Sequence, residues 1–131
     1  MPDIGIVIVT YNSRADIAAC LDAAIASGAE VVVVDNASSD GTIEEVRRHG
    51  VRLLANTANR GFAAAVNQGF AALATPLVLL LNPDAQIRGG LEEMASACRL
   101  PRSAGAGGKL LDSRAVHRSG SWSGSYQVRW S

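Results

Sequence analysis

Leu77-Val78-Leu79-Leu80-Leu81-Asn82-Pro83-Asp84-Ala85 decides how this chain folds. Five consecutive large apolar residues between Pro76 and Pro83 are too few for a packed helix. They read as a strand buried on both faces, the kind found inside a parallel sheet. The run ends in Asn82-Pro83-Asp84, which puts a carboxylate just beyond the strand's carboxyl end. In open α/β sheets that edge is where ligands bind. Asp84 is thus a candidate for a metal- or phosphate-related role, with an Asx turn or helix cap ahead of Gly89-Gly90-Leu91 as its simpler use.

The rest of the chain repeats this pattern. Ile4-Gly5-Ile6-Val7-Ile8-Val9-Thr10 is a β-branched apolar run that stops at Tyr11-Asn12-Ser13, where Asn12 or Ser13 can cap a helix. Ile17, Ala18, Leu21, Ala24 and Ile25 recur at helical spacing, and Gly28 closes that helix. Glu30-Val31-Val32-Val33-Val34-Asp35-Asn36 is a second buried strand ending in a carboxylate, followed by a turn at Ala37-Ser38-Ser39-Asp40-Gly41-Thr42 and a short helix stopping at Gly50. Val51-Arg52-Leu53-Leu54-Ala55 is more polar and belongs nearer a sheet edge. A loop through Asn59-Arg60-Gly61 leads to an Ala-rich helix whose Phe62, Val66, Phe70 and Leu73 fall on one face. The fourth strand follows, then a helix to about Cys98 and a further strand at Lys109-Leu110-Leu111-Asp112. Strand and helix alternating over short connections predict an α/β fold, a Rossmann-like and mostly parallel sheet with flanking helices.

The 131 residues are a single-domain length, and 48% of them are apolar, enough to bury a core. No apolar run approaches the roughly 18–20 residues that span a bilayer. Met1-Pro2-Asp3 shows no basic, cleavable leader, and Cys20 and Cys98 fall in predicted helices as free thiols do in a reducing compartment. The expected location is cytoplasmic, with peripheral attachment at the inner face of a membrane as a variant. Twelve basic and twelve acidic residues balance, but six of the basic ones lie after Cys98 beside a single acid, Asp112. They are spaced singly, without a block, so no nucleic-acid partner is expected.

Thr10-Tyr11-Asn12, Asp35-Asn36 and Asn82-Pro83-Asp84 should share one sheet edge, joined by Asn59-Arg60-Gly61 at a helix start. A guanidinium beside a helix N-terminus suits an anion such as a diphosphate. A carboxylate suits a hard divalent cation that bridges phosphates, and Asp35 can accept from a ribose hydroxyl or a base N–H. On chemistry alone this binds a phosphorylated small molecule. The first turn lacks the glycines of a dinucleotide fingerprint, and no phosphate-binding P-loop sequence occurs. His49 and His117 have no ligand-spaced neighbours, so zinc is not expected; His49 reads as a helix C-terminal residue complementing the dipole. A phosphoacceptor receiver domain would need an acidic pair where Asn12-Ser13 stands.

Taken in order, Val9-Thr10-Tyr11-Asn12-Ser13, Val34 to Thr42 (VDNASSDGT), Asn59 to Gly69 (NRGFAAAVNQG) and Leu80-Leu81-Asn82-Pro83-Asp84 resemble the successive motifs of family 2 glycosyltransferases, nearest the rhamnosyltransferase-like branch of bacterial surface polysaccharide synthesis. The resemblance covers residues 4 to about 120. It implies the N-terminal half of a GT-A fold: residues 1–100 as a nucleotide-sugar-binding core, and residues 101–131 as an incomplete continuation toward an acceptor-binding half. It further implies that Thr10 and Tyr11 line a base pocket, with Asn12 and Asn36 in the same donor-binding set. Asp35 would bond the base or ribose. Arg60, held between Asn59 and Gly61, would lie near the base or diphosphate. Asn82 stands in place of the first carboxylate of the family's metal motif, and Asp84 is the expected ligand of Mn2+ or Mg2+. The implied donor is a nucleoside-diphosphate sugar, UDP- or dTDP-linked by the family's commonest pattern, and the acceptor a glycan or lipid-linked molecule.

The resemblance also exposes a departure. The family's general base lies in a second half, and after Pro101 the only carboxylate is Asp112, which does not match it. The expectation is a donor-binding half, a fragment or a shortened gene product, with no catalytic base of its own. The competing expectation is a non-catalytic binding module that forms a homodimer through the surface left exposed. Trp122 and Trp130 read as packing anchors, with stacking on a sugar or base as the alternative.

Overall fold

The structure, a computed structural model, describes residues 3–101, 103, 105–106, 109–111 and 125–127. His117, Asp112, Trp122 and Trp130 lie outside them. The elements run β1 (Ile4–Thr10), α1 (Arg14–Ala26), β2 (Glu30–Asp35), α2 (Thr42–Arg48), β3 (Arg52–Ala55), α3 (Phe62–Ala72), β4 (Leu77–Leu81), α4 (Leu91–Cys98), β5 (Lys109–Leu111) and β6 (Ser125–Gln127). The chain divides into two compact units, Met1–Gly89 and Gly90–Ser131. The division precedes α4, earlier than the change in composition at Pro101, and falls between Gly89 (φ 139°) and Gly90 (φ 86°).

In the first unit the strands form one sheet in the order β3-β2-β1-β4, every pair parallel. All four carboxyl ends therefore meet at one edge, as the alternating pattern predicts. Thr10, Asp35 and Ala55 stand side by side in register, while Leu81 is level with Ile8, so the chain leaves β4 before it reaches that row.

Alternation along each strand gives the sheet two different faces. Ile6, Ile8, Val31 and Val33 are buried with Ile17, Cys20, Leu21 and Ala24 of α1 and Val46 of α2, and Leu53, Leu79, Leu81 and Ile87 pack against that cluster. On the other face α3 lies over β1 and β2. It approaches through its smallest residues, Ala65 and Gly69, rather than through the Phe62–Val66–Phe70–Leu73 stripe that the sequence pattern favours. A Cβ on Gly69 would meet Val7 Cγ1 at 2.5 Å, and one on Gly5 would meet Leu73 Cδ1 at 2.6 Å. Helix and strand are close enough at Gly69 that glycine is required there, while at Gly5 the missing side chain makes room for Leu73, just past the helix.

β4 departs from the expectation of a strand buried on both faces. It is the terminal strand of this sheet, and α3 sits over β1 and β2, so Val78 and Leu80 stay 37% and 40% exposed while Leu79 and Leu81 turn to the packed face. An uninterrupted apolar run specifies the strand, but its burial depends on what lies beside it.

In the second unit β5 and β6 pair antiparallel, Leu110 level with Tyr126. The first of these strands is anticipated by the sequence; the second falls in a stretch whose small polar residues gave no strand signal. Cys20 and Cys98 are both free thiols. No helix among the described residues is long and apolar enough to cross a membrane.

Candidate functional site

The turn after β2 is closed on itself. Asp35 is fully buried, and its carboxylate accepts from Thr10 Oγ1 (2.7 Å) and Ser38 Oγ (2.6 Å) through Oδ1, and from the Ser38 N–H (2.8 Å) through Oδ2. A buried carboxylate needs such partners, because removing it from water without them costs several kcal/mol. Thr10 is fully buried too, its hydroxyl spent on Asp35. The chain reaches Ser38 by way of Ala37, whose φ of 64° is left-handed and unusual for a residue with a Cβ.

Two loops are then fastened side chain to backbone. The Asn12 N–H donates to Ser38 Oγ (2.8 Å), and the Ser39 N–H donates to Asn12 Oδ1 (2.9 Å); the φ of 49° at Asn12 allows both. Ser13 stands at the start of α1, but its hydroxyl makes no cap bond. The cap comes from the other loop: Asp40 Oδ2 accepts from the Arg14 N–H (3.2 Å), while Asp40 Oδ1 accepts from the Thr42 N–H (3.1 Å) and from the Thr42 hydroxyl. One carboxylate therefore caps two helices, α1 and α2, each at its first residue. The Thr42 hydroxyl bond, with the Arg14 and Thr42 backbone bonds behind it, holds the Asp40 carboxyl below the usual carboxylate range. Thr42 Oγ1 also accepts from the Ser13 N–H (2.9 Å).

The loop before α3 is held from below by an amide. Asn36, 3% exposed, donates from Nδ2 to the Gly61 carbonyl (3.1 Å) and accepts at Oδ1 from the Arg60 N–H (3.4 Å). Asn59 Oδ1 accepts from the Gly61 N–H (2.8 Å). Gly61, at φ 84° and ψ 166°, occupies a conformation essentially restricted to glycine. The Arg60 side chain is exposed and makes no hydrogen bond or ion pair to the described residues.

The turn after β4 is open by comparison. The Asn82 carbonyl accepts from the Ala85 N–H (3.0 Å) and from the Cys20 thiol of α1 (3.6 Å). The Asn82 and Asp84 side chains are exposed, and Asp84 makes no hydrogen bond or ion pair to the described residues. Burial, with the Asp84 carboxylate adding to it, pushes the Cys20 thiol up to about 11.

The predicted residues therefore divide by role. Thr10, Asp35, Asn12, Asn36 and Asn59 spend their side chains on hydrogen bonds to the protein itself; Tyr11 (57% exposed), Arg60 and Asp84 present free chemistry on the elements of the sheet's carboxyl edge. Among the described residues no three His, Cys, Asp or Glu gather as a metal cage. A single open carboxylate does fit Mn2+ or Mg2+ of the kind completed by phosphate oxygens and water. Sequence reading missed the trans cap at Asp40 and the place of Asn56, just past the end of β3, whose Nδ2 donates to Asn36 Oδ1 (3.1 Å). The signal was there, but a partner in another loop is needed to interpret it.

The family model "Glycosyl transferase family 2" matches residues 5–123. The chain is 34% identical over 94 residues to the succinoglycan biosynthesis protein ExoO of Rhizobium meliloti (strain 1021), covering 67% of this chain and 27% of that protein. It is 33% identical over 85 residues to an uncharacterized glycosyltransferase of Mycobacterium tuberculosis (strain ATCC 25618 / H37Rv), covering 65% of this chain and 38% of the relative. Among solved structures, the mannosyltransferase PcManGT from Pyrobaculum calidifontis, in complex with GDP-Man and Mn2+, superimposes with a TM-score of 0.71 at 28% identity, over 81% of this chain and 34% of that one. Glucosyl-3-phosphoglycerate synthase from Mycobacterium tuberculosis, with a TM-score of 0.54 at 22% identity over 61% of this chain and 33% of that one, shares the fold. The matched part thus covers well under half the length of each of these proteins. With the parallel sheet, the four motifs at its carboxyl edge and a match over residues 5–123, the chain belongs to the family 2 glycosyltransferases.

Proposed function

We propose that this chain is the donor-binding part of a glycosyltransferase and takes the nucleoside diphosphate of a nucleotide sugar at the carboxyl edge of its sheet. The observation that carries the reading is the division of labour at that edge. Asp35, Asn36, Ser38 and Asp40 are consumed in holding the loops, while Tyr11, Arg60 and Asp84 are left open. An exposed aromatic ring, a guanidinium and a carboxylate supply stacking for a base, a cation for a diphosphate and a ligand for the divalent ion that accompanies it. Asp35 and Thr10, both fully buried with their side chains spent on the turn, act by fixing it rather than by meeting a base or ribose directly. Mn2+ or Mg2+ bound at Asp84 would offset charge on the departing diphosphate. The ion seen with PcManGT supports this choice. The acceptor is a glycan or lipid-linked molecule of surface polysaccharide synthesis, a reading supported by the likeness to ExoO, with the rhamnosyltransferase-like branch as the narrower form. The full transfer also needs a general base, which the family resemblance places in a second half.

A thermal-shift panel of UDP, dTDP, GDP and CDP, each with and without Mn2+, tests the reading. A ligand at a hundred times its Kd adds about 2.7 kcal/mol to the folded state. A selective rise in Tm that depends on Mn2+ and is lost in Asp84→Ala is the expected result. No shift with any nucleotide, in a folded sample, overturns it. A second reading, a dimerising module, is favoured by the exposed Val78 and Leu80 and by the exposed Phe62 and Phe70 of α3. Size-exclusion chromatography giving a tight dimer, together with silence in the nucleotide panel, would select it.

A further inference from the structure

The amide of Asn36 meets two backbone groups that fix which way round it stands. The Arg60 N–H can only donate, so it faces Oδ1; the Gly61 carbonyl can only accept, so it faces Nδ2. With Oδ1 committed as an acceptor, the group of Asn56 beside it has to be the donor, and Asn56 Nδ2 lies 3.1 Å away. That leaves Asn56 with one amide hydrogen and one oxygen. Gln68 of α3 supplies the complement of both: Asn56 Nδ2 donates to Gln68 Oε1 at 2.8 Å, and Gln68 Nε2 donates to Asn56 Oδ1 at 2.9 Å. A single polarity therefore runs from α3, through the end of β3 and the end of β2, into the backbone of Arg60 and Gly61. Reversing any one amide sets oxygen against oxygen or N–H against N–H in a part-buried place, where unmatched polar groups are costly.

We infer that Gln68 and Asn56 are positioning residues for the Arg60 guanidinium in nucleotide binding; this rests on the donor-site reading above. Neither touches the open groups of the site. They act on Arg60 through Asn36, which holds the Arg60 and Gly61 backbone in the conformation that only glycine at position 61 allows. Gln68 could otherwise be taken for a helix-surface residue and Asn56 for loop filler.

A double-mutant cycle on the 131-residue chain tests this, with UDP, dTDP, GDP and CDP in the presence of Mn2+ titrated by calorimetry. Gln68→Met, close in shape but without hydrogen bonds, is expected to weaken nucleotide binding about tenfold, the scale of one well-placed hydrogen bond. In an Arg60→Ala background the same substitution is expected to weaken binding no further, because the group it positions is gone. Unchanged affinity in Gln68→Met, or an equal loss in both backgrounds, overturns the inference; a merely structural role would give the equal loss. Should Gln68→Met fail to fold, Gln68→Ala, which removes both bonds to Asn56 without setting a new polar group against it, takes its place with the same loss expected. If the unaltered chain binds none of UDP, dTDP, GDP and CDP, it is the donor-site reading that fails. Hydrogen exchange at the Arg60 amide then decides the relay alone: faster exchange in Gln68→Met supports it, and unchanged exchange overturns it.

Discussion

Asp35 and Asp84 each follow an apolar run at the carboxyl edge of the same sheet, and they end in opposite conditions. Asp35 is enclosed, with two hydroxyls and a backbone N–H on its oxygens. Asp84 is exposed and makes no bond to the described residues. The difference follows from the neighbours. β2 is interior to the sheet, in register with β1, so Thr10 stands beside Asp35, and the left-handed step at Ala37 brings Ser38 back onto it. β4 is terminal and ends short of that row, and Pro83 offers no N–H to fold back with. A carboxylate at a strand end is therefore a position, and only its surroundings decide whether it builds the site or serves in it.

The largest effect expected from breaking this contrast is at Asp35. Asp35→Ala strands two hydroxyls and an N–H in a buried turn and should cost about 3–5 kcal/mol of stability, measured by urea unfolding. A loss below about 1 kcal/mol would mean that the turn does not depend on its carboxylate. Gly61→Ala comes next: the added methyl meets no atom within 4 Å, so the cost is purely conformational, about 1–3 kcal/mol. A neutral result would show that the loop relaxes to another backbone shape.

Cys20 makes the surroundings of Asp84 visible through pH. Its folded-state thiol is raised from 9.0 to about 11, so between these values the unfolded chain releases a proton that the native protein keeps. Stability from this group is complete below pH 9 and falls as pH rises toward 11. Cys20→Ala should flatten that part of the decline in unfolding experiments on either side of pH 9, and Asp84→Asn should move the thiol's titration downward by removing a nearby negative charge. A thiol that titrates identically in Asp84→Asn would separate the two groups. The smallest effect on stability is Asp84→Ala itself, within about 0.5 kcal/mol, as for an exposed residue with no hydrogen bond or ion pair to the described residues. Its Mn2+-dependent response to nucleotide should nonetheless disappear. A large loss of stability there would erase the distinction between the two aspartates.

The sequence made the four strands of the first sheet, their parallel pairing and the edge where the motifs meet legible, because each is written in local periodicity and in short connections. It did not reveal the fastenings. Asp40 reads locally as a turn residue, and half of its work is the cap it gives to Arg14 in another loop. Asn56 and Gln68 pair across a loop and a helix turn, which no local pattern announces. The burial of β4 was misjudged because an apolar strand carries no record of whether it stands inside a sheet or at its end. On α3 the aromatic stripe looked like the packing face, yet the closest approach belongs to Gly69, whose contribution is the absence of a side chain.

The carboxylate shared between α1 and α2 also sets where the chain tolerates a change of length. The turn at Gly28, at the opposite edge of the sheet, is exposed, and an added residue there would disturb only its own bend. One residue inserted between Ala37 and Asp40 would shift Asp40 along the chain and uncap the first turn of α1, a helix that precedes the insertion in sequence. The two βα units are thus free to differ in sequence but bound to each other in length.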